Sequence, residues 1–155
     1  MTKRIILIAL LIIVLTVGTA SAMSLGLSFG VQPLGGLPGS NVMLSARFDG
    51  MPFLMGLGFS VSEDVFSLGF TADYILYRTN LVNFLGLYAG PGGYVGIAGD
   101  AISAGLRIPV ALYAFPLDPL ELFLEVAPTI TATFGDVVSF PDFALQGAFG
   151  FRFHF

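Results

Sequence analysis

From Ser24 to Val31 the chain sets Leu25, Leu27, Phe29 and Val31 against Ser24, Gly26, Ser28 and Gly30. A period of two collects all bulk on one face of a β-strand, whereas a helix would spread it around its circumference. The pattern recurs. Val42, Leu44, Ala46 and Phe48 alternate with Met43, Ser45 and Arg47, and Phe53, Met55, Leu57, Phe59 and Val61 alternate with Leu54, Gly56, Gly58 and Ser60. Asp49-Gly50 between them is a hairpin signal, because glycine accepts a positive φ. A fourth segment opposes Phe66, Leu68, Phe70, Ala72 and Tyr74 to Ser67, Gly69, Thr71 and Asp73, and only Val65 and Ile75 blur it.

The fifth segment, Phe84 to Val95, is interrupted by Pro91-Gly92-Gly93, which predicts a bulge or kink. The sixth places Ile102, Ala104, Leu106, Ile108, Val110 and Leu112 opposite Ser103, Gly105, Arg107, Pro109, Ala111 and Tyr113, and ends in a turn at Pro116-Leu117-Asp118-Pro119. The seventh sets Leu122, Leu124, Val126, Pro128 and Ile130 against Glu121, Phe123, Glu125, Ala127, Thr129 and Thr131. The eighth sets Phe143, Leu145, Phe149, Phe151, Phe153 and Phe155 against Ala144, Gln146, Gly150, Arg152 and His154. Eight strands predict an all-β fold, an eight-stranded antiparallel up-and-down transmembrane barrel.

The alternative, a soluble barrel with its bulky face inward, asks a narrow interior to hold many Leu and Phe while a water-facing surface consists of Gly, Ser, Ala and Thr. Turned the other way, the small face lines the bore and the bulky face meets lipid. Arg47, Arg107 and Arg152 then avoid the cost of about 2–4 kcal/mol for a cation facing lipid at the midplane. A helical membrane protein is excluded differently. It needs runs of about 20 apolar residues, and the long uncharged stretches are broken by Pro33, Pro38, Pro91 and repeated Gly.

Ahead of the strands, Lys3 and Arg4 form a basic start, Ile5 to Val17 an apolar stretch, and Ala20-Ser21-Ala22 a small-residue cleavage pattern. Residues 1–22 therefore read as a signal peptide cut after Ala22, with residues 23–155 as the barrel domain. Position 23 is Met and the chain has no Cys, which excludes both a lipid anchor and disulfides. Cleavage leaves no lysine: Arg47, Arg78, Arg107 and Arg152 stand against ten acidic residues, a formal charge of −6. Nucleic-acid binding is excluded, since it needs clustered cations to neutralise phosphates.

The chain ends in Phe151-Arg152-Phe153-His154-Phe155. This run resembles the C-terminal assembly signal of bacterial outer-membrane barrels, with Phe151, Phe153 and Phe155 at its alternating positions. Together with the export signal and the strands, it makes the chain similar to the small eight-stranded class that includes the OmpA transmembrane domain, OmpX and OmpW. The stretches Arg107-Ile108-Pro109-Val110, Phe115 to Glu121 and Glu125-Val126-Ala127-Pro128 further resemble short, uncharacterised barrels of spirochaete-type bacteria. The resemblance implies location in the outer membrane, lipid and the barrel-assembly machinery as partners, and a monomer. Departures are the absence of Trp, which leaves Phe and a few Tyr such as Tyr74 and Tyr77 for the aromatic girdles, and short outer loops, Gln32 to Ser40, Ser62 to Asp64, Ala98 to Ala101 and Phe134 to Asp142.

An even strand count puts both termini in the periplasm. The charges on the opposite end are all acidic: Glu63, Asp64, Asp100, Asp136 and Asp142. No loop has the ligand spacing of a calcium site. Arg47, Asp73, Arg107, Glu121, Glu125 and Arg152 share the bore-facing parity and should pair, since charges held out of water need partners. Counting outward from a loop centred near Val138 places Glu125 opposite Arg152, with Arg107 within reach of Glu125. His154 is the single histidine. It has no nucleophile and carboxylate at telling spacing, and no Gly-x-Ser-x-Gly, His-Glu-x-x-His or phosphate-loop motif occurs, so neither an enzyme nor a cofactor is expected. The functional expectation is a structural barrel or a narrow passive pore for small solutes, plugged by the Arg/Asp/Glu network. The alternative is a surface adhesin acting through the acidic loops.

Overall fold

The computed structural model describes residues 23–31, 37–38, 41–62 and 65–155. The signal peptide with Ala20 and Ala22, and the acids Glu63 and Asp64, lie outside these residues. Among the described residues there are strands and turns and no helix. The strands are β1 (Met23–Gly30), β2 (Val42–Phe48), β3 (Phe53–Ser62), β4 (Val65–Tyr74), β5 (Tyr77–Val82), β6 (Leu85–Ala89), β7 (Gly92–Ala98), β8 (Ala101–Arg107), β9 (Val110–Leu117), β10 (Leu120–Phe134) and β11 (Ser139–His154).

Eleven segments make eight staves. β4 with β5, β6 with β7, and β8 with β9 are continuous paths broken at Ile75–Leu76, Gly90–Pro91 and Ile108–Pro109. Each neighbouring pair is antiparallel, and β11 pairs with both β1 and β10, which closes the sheet. Closure leaves backbone donors and acceptors satisfied around the ring. Following paired residues from Glu121 through Arg152, Gly26, Ser45, Gly56, Thr71, Tyr94 and Gly105 returns to β10 at Thr131, ten residues beyond the start. With ordinary strand spacings, that offset tilts the strands by about 40° from the barrel axis.

Alternation sorts the side chains as the period of two requires. Leu57, Phe59, Phe70, Val95, Leu106, Leu124 and Phe149 stand outward and exposed, while Ser45, Thr71, Asp73, Arg107, Glu121, Glu125, Gln146 and Arg152 are buried in the bore. The bore also holds larger groups than the expected Gly, Ser and Ala lining: Met43, Leu54, Tyr88, Tyr94, Tyr113 and Phe123 are buried there. Glycines make room for them. A Cβ on Gly105 would lie 2.7 Å from the Tyr94 ring, and Cβ atoms on Gly86 and Gly150 would run into Tyr113 and Phe123, their cross-strand partners.

The Asp49-Gly50 turn forms as expected, with Gly50 at φ +84°, and Gly99 at φ +57° makes the β7–β8 turn. The fifth stave breaks at Gly90–Pro91, where an interruption is expected. Other expectations change. The sixth stave, read as continuous, breaks at Pro109, which brings no amide hydrogen to the ladder. The fourth does not stop at Tyr74: it resumes as β5, which pairs with β6 over Tyr77 to Val82. Register is the main correction. Glu121, and not Glu125, stands opposite Arg152, while Glu125 faces Ala148. The register shifts between Thr131 and Thr133, and β10 runs to Phe134 while β11 starts at Ser139, so the hairpin is centred near Asp136 and not Val138.

Candidate functional site in the barrel lumen

Arg152, at the end of β11, is 2% exposed and reaches across the bore. Its Nη1 donates to Glu121 Oε1 at 2.6 Å, its Nε to Ser45 Oγ at 2.8 Å and its Nη2 to Tyr88 Oη at 3.3 Å. The guanidinium lies over the Phe123 ring, 3.8 Å from its centroid, an arrangement in which a cation meets the negative face of the ring. One side chain thus joins β11 to β2, β6 and β10.

Glu121 collects three basic side chains. Besides Arg152, its Oε2 accepts from Arg78 Nη2 at 3.3 Å and lies 3.1 Å from His154 Nε2. Further in, Glu125 accepts from Tyr88 Oη at 2.9 Å and pairs closely with Arg107 Nη2. Arg107 also donates through Nη1 to Gln146 Oε1 at 3.0 Å, and its Nε lies 3.1 Å from Asp73 Oδ1, too bent to form an N–H···O hydrogen bond. Tyr94 and Thr131 hydroxyls meet beyond Arg107. At the end that carries Met23 and Phe155, Tyr88 stacks on Tyr113 at 6.1 Å, Tyr113 meets Phe115 edge-on at 6.0 Å, and Phe115 meets the His154 ring at 5.1 Å.

Five of the six expected network residues, Asp73, Arg107, Glu121, Glu125 and Arg152, are therefore brought together. Arg47 is not: it sits 4.0 Å from Asp49 at the β2–β3 turn, away from the buried acids. Arg78 takes its place and restores a balance of three arginines and three carboxylates. Its position escaped the alternation because the pattern slips by one residue at Ile75–Leu76, which turns Arg78 and Asn80 inward where the parity of Thr71 and Asp73 points them outward. The signal was nonetheless in the chain, since Tyr77, Thr79 and Leu81 alternate with Arg78 and Asn80.

Packing closes the bore at this level. The void among Ser45, Asp73, Arg107, Phe123, Glu125 and Arg152 is about 20 Å³. That is room for about one water molecule. Chemically, the arrangement can hold charge in fixed pairs and fill space. Among the described residues no three His, Asp or Glu side chains converge as metal ligands, and His154 lies between the Glu121 carboxylate and the Phe115 ring. Phe151, Phe153 and Phe155 lie outside this network. Phe151 and Phe153 are on the outward face at 5.9 Å from one another, and the Phe155 amide donates to the Met23 carbonyl at 2.9 Å. Asp100, Asp136 and Asp142 are exposed at the opposite end. Compared with family models, curated proteins and solved structures, the chain matches none.

Proposed function

We propose that the chain is an integral outer-membrane β-barrel, exported through the periplasm with residues 1–22 removed, and that its barrel is structural and closed, not an open pore. The observation that carries this reading is the partition of side chains in a sheet without open ends around its ring. Every charged side chain in the described strands lies on the bore side or at a strand end, and the outward positions are bulky and apolar. In water such a surface would be a large exposed apolar patch; in hydrocarbon it is the stable arrangement. The void of about 20 Å³ within the charge network favours a plugged bore over a passive route for solutes. The outer surface takes membrane lipid as its partner, Phe151, Phe153 and Phe155 on the last strand address the assembly machinery, and the barrel acts as a monomer with both ends of the domain in the periplasm. No arrangement of Asp100, Asp136 and Asp142 favours the adhesive alternative.

Two measurements test it. Refolded protein in a planar bilayer should give no large, steady conductance, and a constant open current would reject the plug. Spin labels at Leu27 and Phe151 should be reached by oxygen dissolved in acyl chains and shielded from aqueous quenchers. The reverse accessibility would reject the membrane assignment.

A further inference from the structure

β5 and β6 continue past the rim of the barrel. β3 begins at Phe53, level with Tyr74, so nothing in the ladder flanks β5 on that side, and β5 pairs with β6 alone. The β5–β6 hairpin, backed by β9, forms a flap whose inner face overhangs the mouth of the bore. Between this face and the turn lies a cavity of about 330 Å³, bounded by Arg78, Asn80, Asn83, Phe84, Tyr113 and Phe115 among others. That volume is at the lower end of the range of small-molecule pockets.

The polar side of the cavity is lined by Arg78, Asn80, Asn83 and Tyr113. Arg78 Nε donates to Tyr113 Oη at 3.1 Å, and its Nη2 donates to Glu121. A guanidinium has five N–H groups, so three of the five have no hydrogen-bond partner among the described residues. Having accepted from Arg78, the Tyr113 hydroxyl donates to Asn80 Oδ1 at 3.1 Å. This fixes the Asn80 amide: its oxygen faces Tyr113, and its NH₂ has no acceptor among the described residues. Glu121 offsets the Arg78 charge only in part, because its other oxygen is held by Arg152 at 2.6 Å. The remaining walls, Phe84 and Phe115, are exposed aromatic rings.

We infer that this cavity at the mouth of the bore binds small carboxylates bearing a flat apolar body, with Arg78 and Asn80 donating to the carboxylate and Phe84 and Phe115 covering the body. An acceptor with negative charge completes the donors that the fold leaves unmet, and the rings exclude water from one side of the pair. The site differs from the plug in purpose and place: it faces the aqueous end and leaves the deeper Arg107, Glu125 and Asp73 contacts intact.

The test uses the full refolded barrel in uncharged micelles, with sodium benzoate as probe and benzyl alcohol as its neutral counterpart, followed by saturation-transfer NMR. Benzoate should bind saturably and about ten-fold more tightly than benzyl alcohol, the ratio expected for one charge-assisted hydrogen-bonded contact. Asn80→Asp keeps an acceptor for Tyr113 and replaces the free donors by a negative charge. It should weaken benzoate about ten-fold and leave benzyl alcohol unchanged. Arg78→Gln should act in the same direction, and Arg47→Gln, on the turn outside the cavity, should change nothing. Equal affinity for the two probes, or indifference to Asn80→Asp in a variant with unaltered β circular dichroism, would overturn the site. Displacement of benzoate by inorganic phosphate as effectively as by p-toluate would overturn the part assigned to the aromatic walls.

Discussion

Gly105 faces Tyr94 across the β7–β8 ladder, and the tyrosine ring occupies the space that a side chain on Gly105 would need. The same relationship holds between Gly86 and Tyr113 and between Gly150 and Phe123. These three rings are each seated over a glycine of a neighbouring strand, which lets a narrow cylinder hold them without bending its backbone. Gly105→Val should therefore force Tyr94 from its contact with Thr131 and destabilise the barrel by about 1–3 kcal/mol, the usual cost of overpacking. Urea unfolding of refolded protein in micelles measures it. A loss no greater than that of a valine placed at an outward glycine would contradict the seating.

Arg152 and Glu121 form a buried pair, and a buried pair is worth far less than the damage done by splitting it. Arg152→Met leaves Glu121 in the bore with only Arg78 and His154, and should cost about 3–5 kcal/mol. The double variant Arg152→Met with Glu121→Gln should cost distinctly less than the two single changes added together, since no unpaired charge remains. Additive losses in this cycle would mean that the two residues are not coupled.

Arg47 provides the contrast within the same chain. Among the described residues it pairs at 4.0 Å with an exposed aspartate, Asp49. Arg47→Gln should change stability by less than about 1 kcal/mol, as exposed pairs do, while Arg107→Gln, which strands Glu125 and Asp73, should cost several times more. Parallel unfolding curves for the two variants decide this.

Leu57 lies mid-strand on the outward face of β3. If hydrocarbon covers that face, Leu57→Arg should cost about 2–4 kcal/mol in folding into lipid vesicles. In a protein whose outer face meets water, an exposed substitution of this kind changes stability by about 0.5 kcal/mol or less. The size of the loss separates the two environments.

The faces of the strands were legible in the chain because burial on one side of a sheet enforces a period of two, and β1 to β4 follow the alternation closely. Register was not. Alternation assigns a side chain to a face but leaves its height on the strand to the turn, and the turn near Asp136 together with the shift between Thr131 and Thr133 exchanged Glu121 for Glu125 opposite Arg152. Arg78 was hidden by the opposite fault: one irregular step at Ile75–Leu76 reversed the parity of β5. The tyrosines fell on the right face, but their part in the network depends on hydroxyl contacts across the bore between Tyr88 and Glu125 and between Tyr113 and Asn80, which join strands far apart in sequence.

Arg152 belongs to β11, the strand that closes the ring, so the counterion for the acid on β10 comes from the seam of the barrel. A chain interrupted before β11 would carry Glu121 with its strongest partner missing and Ser45 without its guanidinium contact. Closing the sheet and neutralising its interior are thus the same event: the strand that joins β10 to β1 also carries the cation that the inner acid needs.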